Sequence, residues 1–414
     1  MSTADHLFDL IIIGSGPTGG TLALLAARKG FDVCLIDARP KKLKPKKDGR
    51  NFAIVRGGWR LLSRAGLADA LQDDAQALNG LEATDGAPHV FGPPMALFGN
   101  EDLMDDDSDL PLGFMVEAEK LQAAIDSRLA KEASITIHRP QTFVSLSHAP
   151  GANTIELASG EKISARLVVG CDGGRSAVRN ALGITTEDRS YNRAVFAANV
   201  SLDRPHEGIA RQLFTPEGPF ATLPLKGNRA NLAWYLSEPA ARALMGLSQV
   251  EQTAELNHRF SDFAGTMEIV APPISYPLTL SLATSMVGER AALVGDAARR
   301  VNPLAGQGLN LGLKDVAALV DVIEDARDVG LDIGAASTLE RYQEWRRFDG
   351  NASALALDAI DRMFANDRPI EKTLRSIGLV AANQLSPIRR QFAQQASADQ
   401  KSLPRCMQPL SEDA

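Results

Sequence analysis

Leu10-Ile11-Ile12-Ile13-Gly14-Ser15-Gly16-Pro17-Thr18-Gly19 is the stretch on which the fold turns. Four apolar residues in a row, without alternation, suit a parallel strand buried on both faces. The run ends at Gly14. From Pro17 to Lys29 the small and apolar residues Ala23, Leu24, Ala26 and Ala27 suit a closely packed helix, and Gly30 is placed to stop it. Asp32 to Asp37 then supplies a second strand. Strand, glycine turn, helix and strand make a βαβ unit, which belongs in a parallel sheet. Within the turn Gly14 permits the tight bend, Gly16 lets backbone amides approach a pyrophosphate, and Gly19 lets helix and strand pack closely. The helix N-terminus, with Pro17 and Thr18 in its first turn, then faces phosphate charge. Asp37 follows the glycines by about 20 residues, where a carboxylate accepts from ribose hydroxyls, and Arg39 stands beside it.

This motif alone does not say which dinucleotide is bound. Two later stretches narrow it. Val168-Val169-Gly170-Cys171-Asp172-Gly173-Gly174-Arg175-Ser176-Ala177-Val178-Arg179 puts an Asp-Gly pair directly after an apolar strand. Asp and Ser also cap helices for purely local reasons, so a capped turn and a ligand-facing turn are both open here. The other stretch runs Leu293-Val294-Gly295-Asp296-Ala297-Ala298, then Pro303-Leu304-Ala305-Gly306-Gln307-Gly308-Leu309-Asn310, and on to Asp315. Its strand, Ala291 to Gly295, ends where a missing side chain lets backbone approach a ligand, and Asp296 can bond polyol hydroxyls. Gly306 and Gly308 bring the start of a helix, Gln307 to Ala326, beside a bound group, where free amides stabilise negative charge.

The rest of the chain sets limits. Its 414 residues are enough for two domains with a core. With 23% charged and 44% hydrophobic residues it reads as globular, and a net charge of −7 argues against general nucleic-acid binding. The cluster Lys41, Lys42, Lys44, Lys46 and Lys47 reads as a solvated loop, or as an attractor of anionic lipid or phosphate. Cys34, Cys171 and Cys406 form no disulfide framework or metal motif, and His6, His89, His138, His148, His206 and His258 lack metal spacing, so no metal is expected. The early apolar run is too short for a signal peptide, and no stretch reaches the length of about 20 residues that spans a bilayer.

Helical spacing over Glu117 to Lys131 and strand patterns at Ile135–His138, Thr142–Leu146, Thr154–Leu157 and Leu167–Val169 extend the first unit. Gly80 to Leu112, rich in Asp, Gly and Pro, reads as irregular. Val195 to Pro277 alternates short β-like runs, such as Phe220–Leu225 and Ala230–Leu236, which suggests a largely antiparallel sheet inserted into the first domain. Ser337 to Ala396 reads as mostly helical.

At these residues the chain resembles a known family. GSGPTG with Asp37, VGCDGGRSAVR, and GDA with PLAGQGLNLGLKD are similar, in this order, to the three flavin motifs of the para-hydroxybenzoate-hydroxylase-like, single-component flavoprotein monooxygenases. More narrowly the chain looks like the UbiH/UbiF/VisC group of ubiquinone-biosynthesis hydroxylases. Asp48-Gly49-Arg50, Val116-Glu117, Leu223-Pro224-Leu225 and Trp345-Arg346-Arg347 carry the likeness across nearly the whole chain.

The resemblance implies an α/β fold: a Rossmann-like FAD-binding domain of glutathione-reductase type, an inserted mixed or antiparallel β-sheet substrate domain, and a helical C-terminal region. The expected division is 1–75 with 112–185 and 286–330 for FAD, 76–111 with 186–285 for substrate, and 331–414 for the C-terminal helices. It implies FAD as cofactor. Gly14, Gly16 and Gly19 would hold the pyrophosphate, Asp37 the adenosine ribose and Arg50 the phosphate region. Asp172 and Gly173 would line the cleft, Asp296 behind Gly295 would meet the ribityl chain, and Ala305, Gly306, Gln307, Gly308, Leu309 and Asn310 the flavin pyrimidine edge. Pro303 would flank the substrate side of the ring.

The implied reaction is hydroxylation of the ring of a polyprenylated ubiquinone precursor with O2, through a flavin C4a-hydroperoxide. Electrons would come from NAD(P)H or a partner reductase. No general base is named, and water or a carbonyl near Pro303 would take the phenol proton. A cytoplasmic protein is expected, either within a ubiquinone-biosynthesis complex or peripheral on the inner membrane, with the mixed apolar and basic stretch Ile370 to Ala396 as a lipid-facing candidate. Two departures bear on this. Relatives often carry His after Gly-Asp-Ala-Ala and another His or Asn before the proline, where Arg299 and Asn302 stand; Arg299 then reads as a substrate-carboxylate partner or as a surface or phosphate-facing arginine. After Glu117 the group often shows Asn-Arg, and here Ala118-Glu119 follow. A hydroxylase of a small soluble phenol, or a flavin-binding assembly subunit, remain the alternatives.

Overall fold

Strand Leu7–Ile13 is the axis of the first sheet, with Leu10, Ile11 and Ile12 fully buried. The computed structural model describes residues 6–40, 49–86, 95–102, 110–215, 217–301, 307–347 and 403–409. The expectations placed on Lys41 to Lys47, on Asn302 to Gly306, including Pro303, Ala305 and Gly306, and on Ile370 to Ala396 lie outside the described residues. Leu7–Ile13 pairs in parallel with Val33–Ile36 on one side and with Lys162–Gly170 on the other. Ile135–His138 and Ala291–Leu293 extend the parallel array outward, and a hairpin of Phe143–Ala149 and Ala152–Leu157 is added antiparallel. Helices Pro17–Arg28, Ala118–Leu129 and Gln307–Asp328 pack on it, so the continuous apolar runs are covered.

The expected second sheet is present, with nine strands among the described residues. Its centre is the 17-residue strand Thr186–Leu202, antiparallel to Arg229–Ser237 and to Ile274–Ala283. Two helices that the sequence pattern did not reveal, Glu238–Met245 and Gln249–Ala264, cover one face. A capping box of Ser248 and Glu251 starts the longer one. The stretch read as irregular also contributes: Gly80–Asp85 pairs in parallel with Ile209–Thr215, and Met95–Gly99 continues the edge. Pairing with a distant segment supplies the order that local composition did not.

A small sheet of Asn51–Val55, Gln76–Leu78 and Gly113–Glu117 lies between the two. Residues 336–347 are helical, and Leu403, Cys406 and Met407 are buried beyond them. Arg405 bonds Asp321 through its backbone N–H at 2.7 Å, which anchors this segment on the helix Gln307–Asp328. Among the described residues no helix is long and apolar enough to cross a membrane.

Candidate cofactor site

The glycine turn explains its own composition. Gly14 has φ +100, and a Cβ there would lie 2.5 Å from the Cys171 carbonyl oxygen, so both backbone conformation and space demand glycine. A Cβ at Gly19 would meet the Gly14 oxygen at 1.9 Å. Gly16 differs, since among the described residues nothing beyond its chain neighbours lies within 4 Å of its would-be Cβ. It is also the N-cap of the helix Pro17–Arg28, which has no side-chain cap and no acidic residue in its first turn. A helix start with unpaired first-turn amides and open space beside it has the features of an anion-binding terminus.

Asp37 ends the second strand nearly buried. It accepts from Arg39 Nε at 2.8 Å and Arg139 Nη2 at 2.7 Å, and also from the Ser15 hydroxyl. Burial opposes its charge, but the bonds from Arg39 and Ser15 outweigh that and hold its carboxyl below the usual range. Asp126 and Gln122, from the helix Ala118–Leu129, complete the cluster; Gln122 donates to the Ser15 carbonyl at 3.0 Å.

In the second segment the capped turn is present. Asp172 Oδ2 accepts from the backbone of Ala177 at 2.6 Å and of Val178 at 3.1 Å, and Ser176 caps the same helix through Arg179 N–H. The same Asp172 lines the cavity described below. Arg179, seen from sequence only as part of the motif, donates to the carbonyls of Gly174 and Ala297 at 2.9 Å each and so ties the second segment to the third.

In the third segment the expectation for Arg299 is corrected. Its guanidinium is buried on Asp315 and on the Arg346 carbonyl, neither at the surface nor among the residues that line the cavity described below. Strand Arg299–Arg300 pairs with Ile274–Ala283, and alternation along it sends Arg300 to the cavity instead. Asp296 opens onto the cavity while protein crowds its other sides. Lost hydration pushes its carboxyl above the usual range, against the pull of Arg300 and Arg50.

These segments meet in one cavity of about 770 Å³, within the usual size range of ligand pockets, about 300–1,000 Å³. The first segment contributes Gly14, Gly16, Pro17 and Thr18, joined by Asp37, Arg39 and Arg50; the second contributes Asp172 and Gly173; the third contributes Asp296, Gly308 and Leu309. Gly19 and Gly295 stand behind the lining, and Gln307 opens its helix. Asn310 is buried, donating to the Ala53 carbonyl at 2.7 Å and accepting from Val55 N–H at 3.1 Å, and so joins this helix to the small sheet. Glu119 is not among the lining residues.

The far wall comes from the nine-stranded sheet through Ala197, Asn231, Ile274 and Tyr276, none of which the sequence reading named. Burial raises the Tyr276 hydroxyl above its ordinary value, with Arg50 pulling the other way. Strand alternation was the signal for these residues, but it points to a cleft only once the sheet's other face is known to be covered. Among the described residues no group of His, Cys, Asp or Glu could hold a metal ion. A cavity of this size with an uncapped helix start, the carboxylate of Asp296 and a second helix start fits a flavin dinucleotide.

The family described as "FAD binding domain" matches residues 8–347. The chain is 37% identical to ubiquinone hydroxylase UbiL of Rhodospirillum rubrum, across 95% of this chain and 90% of that one. It is 34% identical to 3-demethoxyubiquinol 3-hydroxylase of Escherichia coli, across 92% of this chain and 96% of that one. Among solved structures, p-nitrophenol 4-monooxygenase PnpA of Pseudomonas putida superposes with a TM-score of 0.75 at 19% identity, covering 94% of this chain and 97% of that one. HpxO of Klebsiella pneumoniae, complexed with FAD and uric acid, does so at 0.72 and 18%, covering 94% and 97%. The chain therefore belongs to the FAD binding domain family, and its cofactor is FAD.

Proposed function

We propose that this chain is an FAD-dependent monooxygenase that hydroxylates the aromatic ring of a polyprenylated ubiquinone precursor. The observation that carries the reading is the convergence of Asp37, Asp172 and Asp296, from three separated segments, on one cavity walled by a second sheet. The printed activities of the two relatives, at 37% and 34% identity over nearly whole chains, supply the substrate class.

In this reading Gly14 and Gly16, with the amides that follow them, hold the pyrophosphate, and Asp37 with Arg39 holds the adenosine ribose. Arg50 neutralises phosphate charge, Asp172 and Gly173 close the cleft beside it, Asp296 takes the ribityl hydroxyls, and Gly308 and Leu309 border the ring. FAD, when bound, supplies the activation of dioxygen. The protein's part is binding, orientation and exclusion of water. Ala197 presents a small side chain at the cavity wall, beside Asn231 and Tyr276. Electrons come from NAD(P)H or from a partner reductase, and the protein acts at the inner-membrane surface with other enzymes of the pathway.

The test uses purified protein loaded with FAD, a chemical reductant, a short-chain prenylated phenol and isotopically labelled dioxygen. The expected product carries one labelled oxygen on the ring. Unmodified prenylated phenol alongside efficient hydroxylation of a simple hydroxybenzoate would overturn the substrate class. In a strain lacking the gene, the accumulated quinone intermediate names the missing hydroxyl.

A further inference from the structure

Behind the third segment of the cleft lies a fully buried carboxylate, Asp315, on the helix Gln307–Asp328. Its Oδ2 accepts the backbone N–H of Gly295 at 3.1 Å. Its Oδ1 accepts Nε of Arg346 at 2.7 Å and a guanidinium N–H of Arg299. Arg299 also donates to the Arg346 carbonyl at 3.0 Å. Arg346 belongs to the helical residues 336–347, and from that same helix the Tyr342 hydroxyl donates to the Leu293 carbonyl at 2.9 Å, two residues before Gly295. None of Asp315, Arg299 and Arg346 lines the cavity.

Burying charges costs several kcal/mol for each ion unless bonds repay it, and the Gly295 N–H needs only a neutral acceptor. A carboxylate is suited here because its two oxygens gather three donors at once, two from the third segment and one from helix 336–347. What the gathering holds is the turn Gly295–Ala297, in which Gly295 and Ala297 stay buried and Asp296 alone leaves for the cleft.

We propose that Asp315 is a positioning residue of the cofactor site: it sets the Gly295–Asp296 turn so that Asp296 meets the polyol chain, and through Arg346 it ties that setting to helix 336–347. The proposal rests on the reading of the cleft as the FAD site. It is tested on the full chain by FAD titration, the visible spectrum of bound flavin and the melting temperature of the flavin-free protein. Asp315→Asn is expected to weaken FAD by about 10-fold or more and to change the shape of the flavin absorption band. Arg299→Gln leaves the Gly295 acceptor and the Arg346 pair in place; it is expected to melt earlier yet bind FAD within about threefold of wild type. Should Asp315→Asn not fold, the double variant Arg299→Gln/Asp315→Asn removes a cation with the anion and is read against Arg299→Gln alone. Carboxylate-free variants with wild-type affinity and spectrum overturn the proposal, as does Arg299→Gln losing FAD as severely as Asp315→Asn. Wild-type protein that takes up no FAD removes the cleft reading and the proposal together, whereas a flavin-bound wild type beside indifferent variants removes the proposal only.

Discussion

The two faces of the nine-stranded sheet are built from alternate residues of the same strands and have opposite tasks. On the helix-covered face Phe196, Phe220, Leu232 and Trp234 pack with Leu256 and Phe260 into a closed apolar core. On the other face Ala197, Asn231 and Tyr276 line the cavity. The pair Phe196 and Ala197 states the contrast within one peptide unit. The closed side carries the larger apolar core, the other side carries Ala197, Asn231 and Tyr276 along with a smaller cluster of Val195, Tyr235 and Leu278, and the period of two in a strand separates them without any change of backbone. The edge strand Arg299–Arg300 follows the same rule with charges: one arginine is locked inside and its neighbour faces the cleft.

The sharpest test of this division is Phe220→Ala. Phe220 is fully buried and stacks on Phe260 with ring centroids 3.8 Å apart, so the variant should lose about 3–5 kcal/mol of folding stability. Chemical denaturation measures this, and FAD affinity of the folded fraction should stay at the wild-type level; a flavin defect of equal size would mean the faces are coupled.

Gly16→Val, next in size, reverses the pattern. The open space at Gly16 accepts the side chain without a clash in the flavin-free protein. FAD affinity should nevertheless fall by about 100-fold, or about 2.7 kcal/mol, because the side chain occupies the pyrophosphate's approach. An unchanged dissociation constant would show that this helix start is not the phosphate site.

The pH dependence of Asp37 is smaller and has a definite sign. Its folded carboxyl is held below the usual range, so its contribution is complete above the unfolded value and disappears as pH falls through the lowered folded value. Asp37→Asn should therefore cost about 1–2 kcal/mol at neutral pH, and the gap from wild type should close below a pH of about 4. A gap equally wide in acid would assign the loss to packing instead. Asp296, with its carboxyl raised by burial, has the opposite sign: its charge weighs against the flavin-free fold as pH rises through its folded value.

The smallest effect on stability is expected from Arg300→Ala, within about 0.5 kcal/mol of wild type, against about 3 kcal/mol for Arg299→Ala, which breaks a buried pair. Thermal melting of the two variants side by side decides whether alternation along Arg299–Arg300 has the assigned direction.

Much of the site was legible in the sequence because its devices are local. A turn that needs Gly14 next to Ile13, a helix start at Pro17 and a carboxylate at Asp37 are all written within thirty residues, although the Cys171 carbonyl against Gly14 and the Arg139 bond to Asp37 come from far along the chain. The sheet wall was less legible. Helices Glu238–Met245 and Gln249–Ala264 lie in a region dominated by strand patterns, and the pairing of Gly80–Asp85 with Ile209–Thr215 joins segments more than a hundred residues apart. Arg299 was misread because its environment consists of Asp315 and Arg346, neither of which is near it in sequence.

The amino-acid order by itself determined the βαβ entry, the three glycine-bearing segments and the family, since backbone geometry and turn chemistry act over a few residues. Only the tertiary structure decided which of two adjacent arginines is sealed on a carboxylate, which face of the second sheet forms the cleft, and that Asp315 reaches the backbone of Gly295. Those outcomes depend on burial, and burial is created by segments that meet only when the chain has folded.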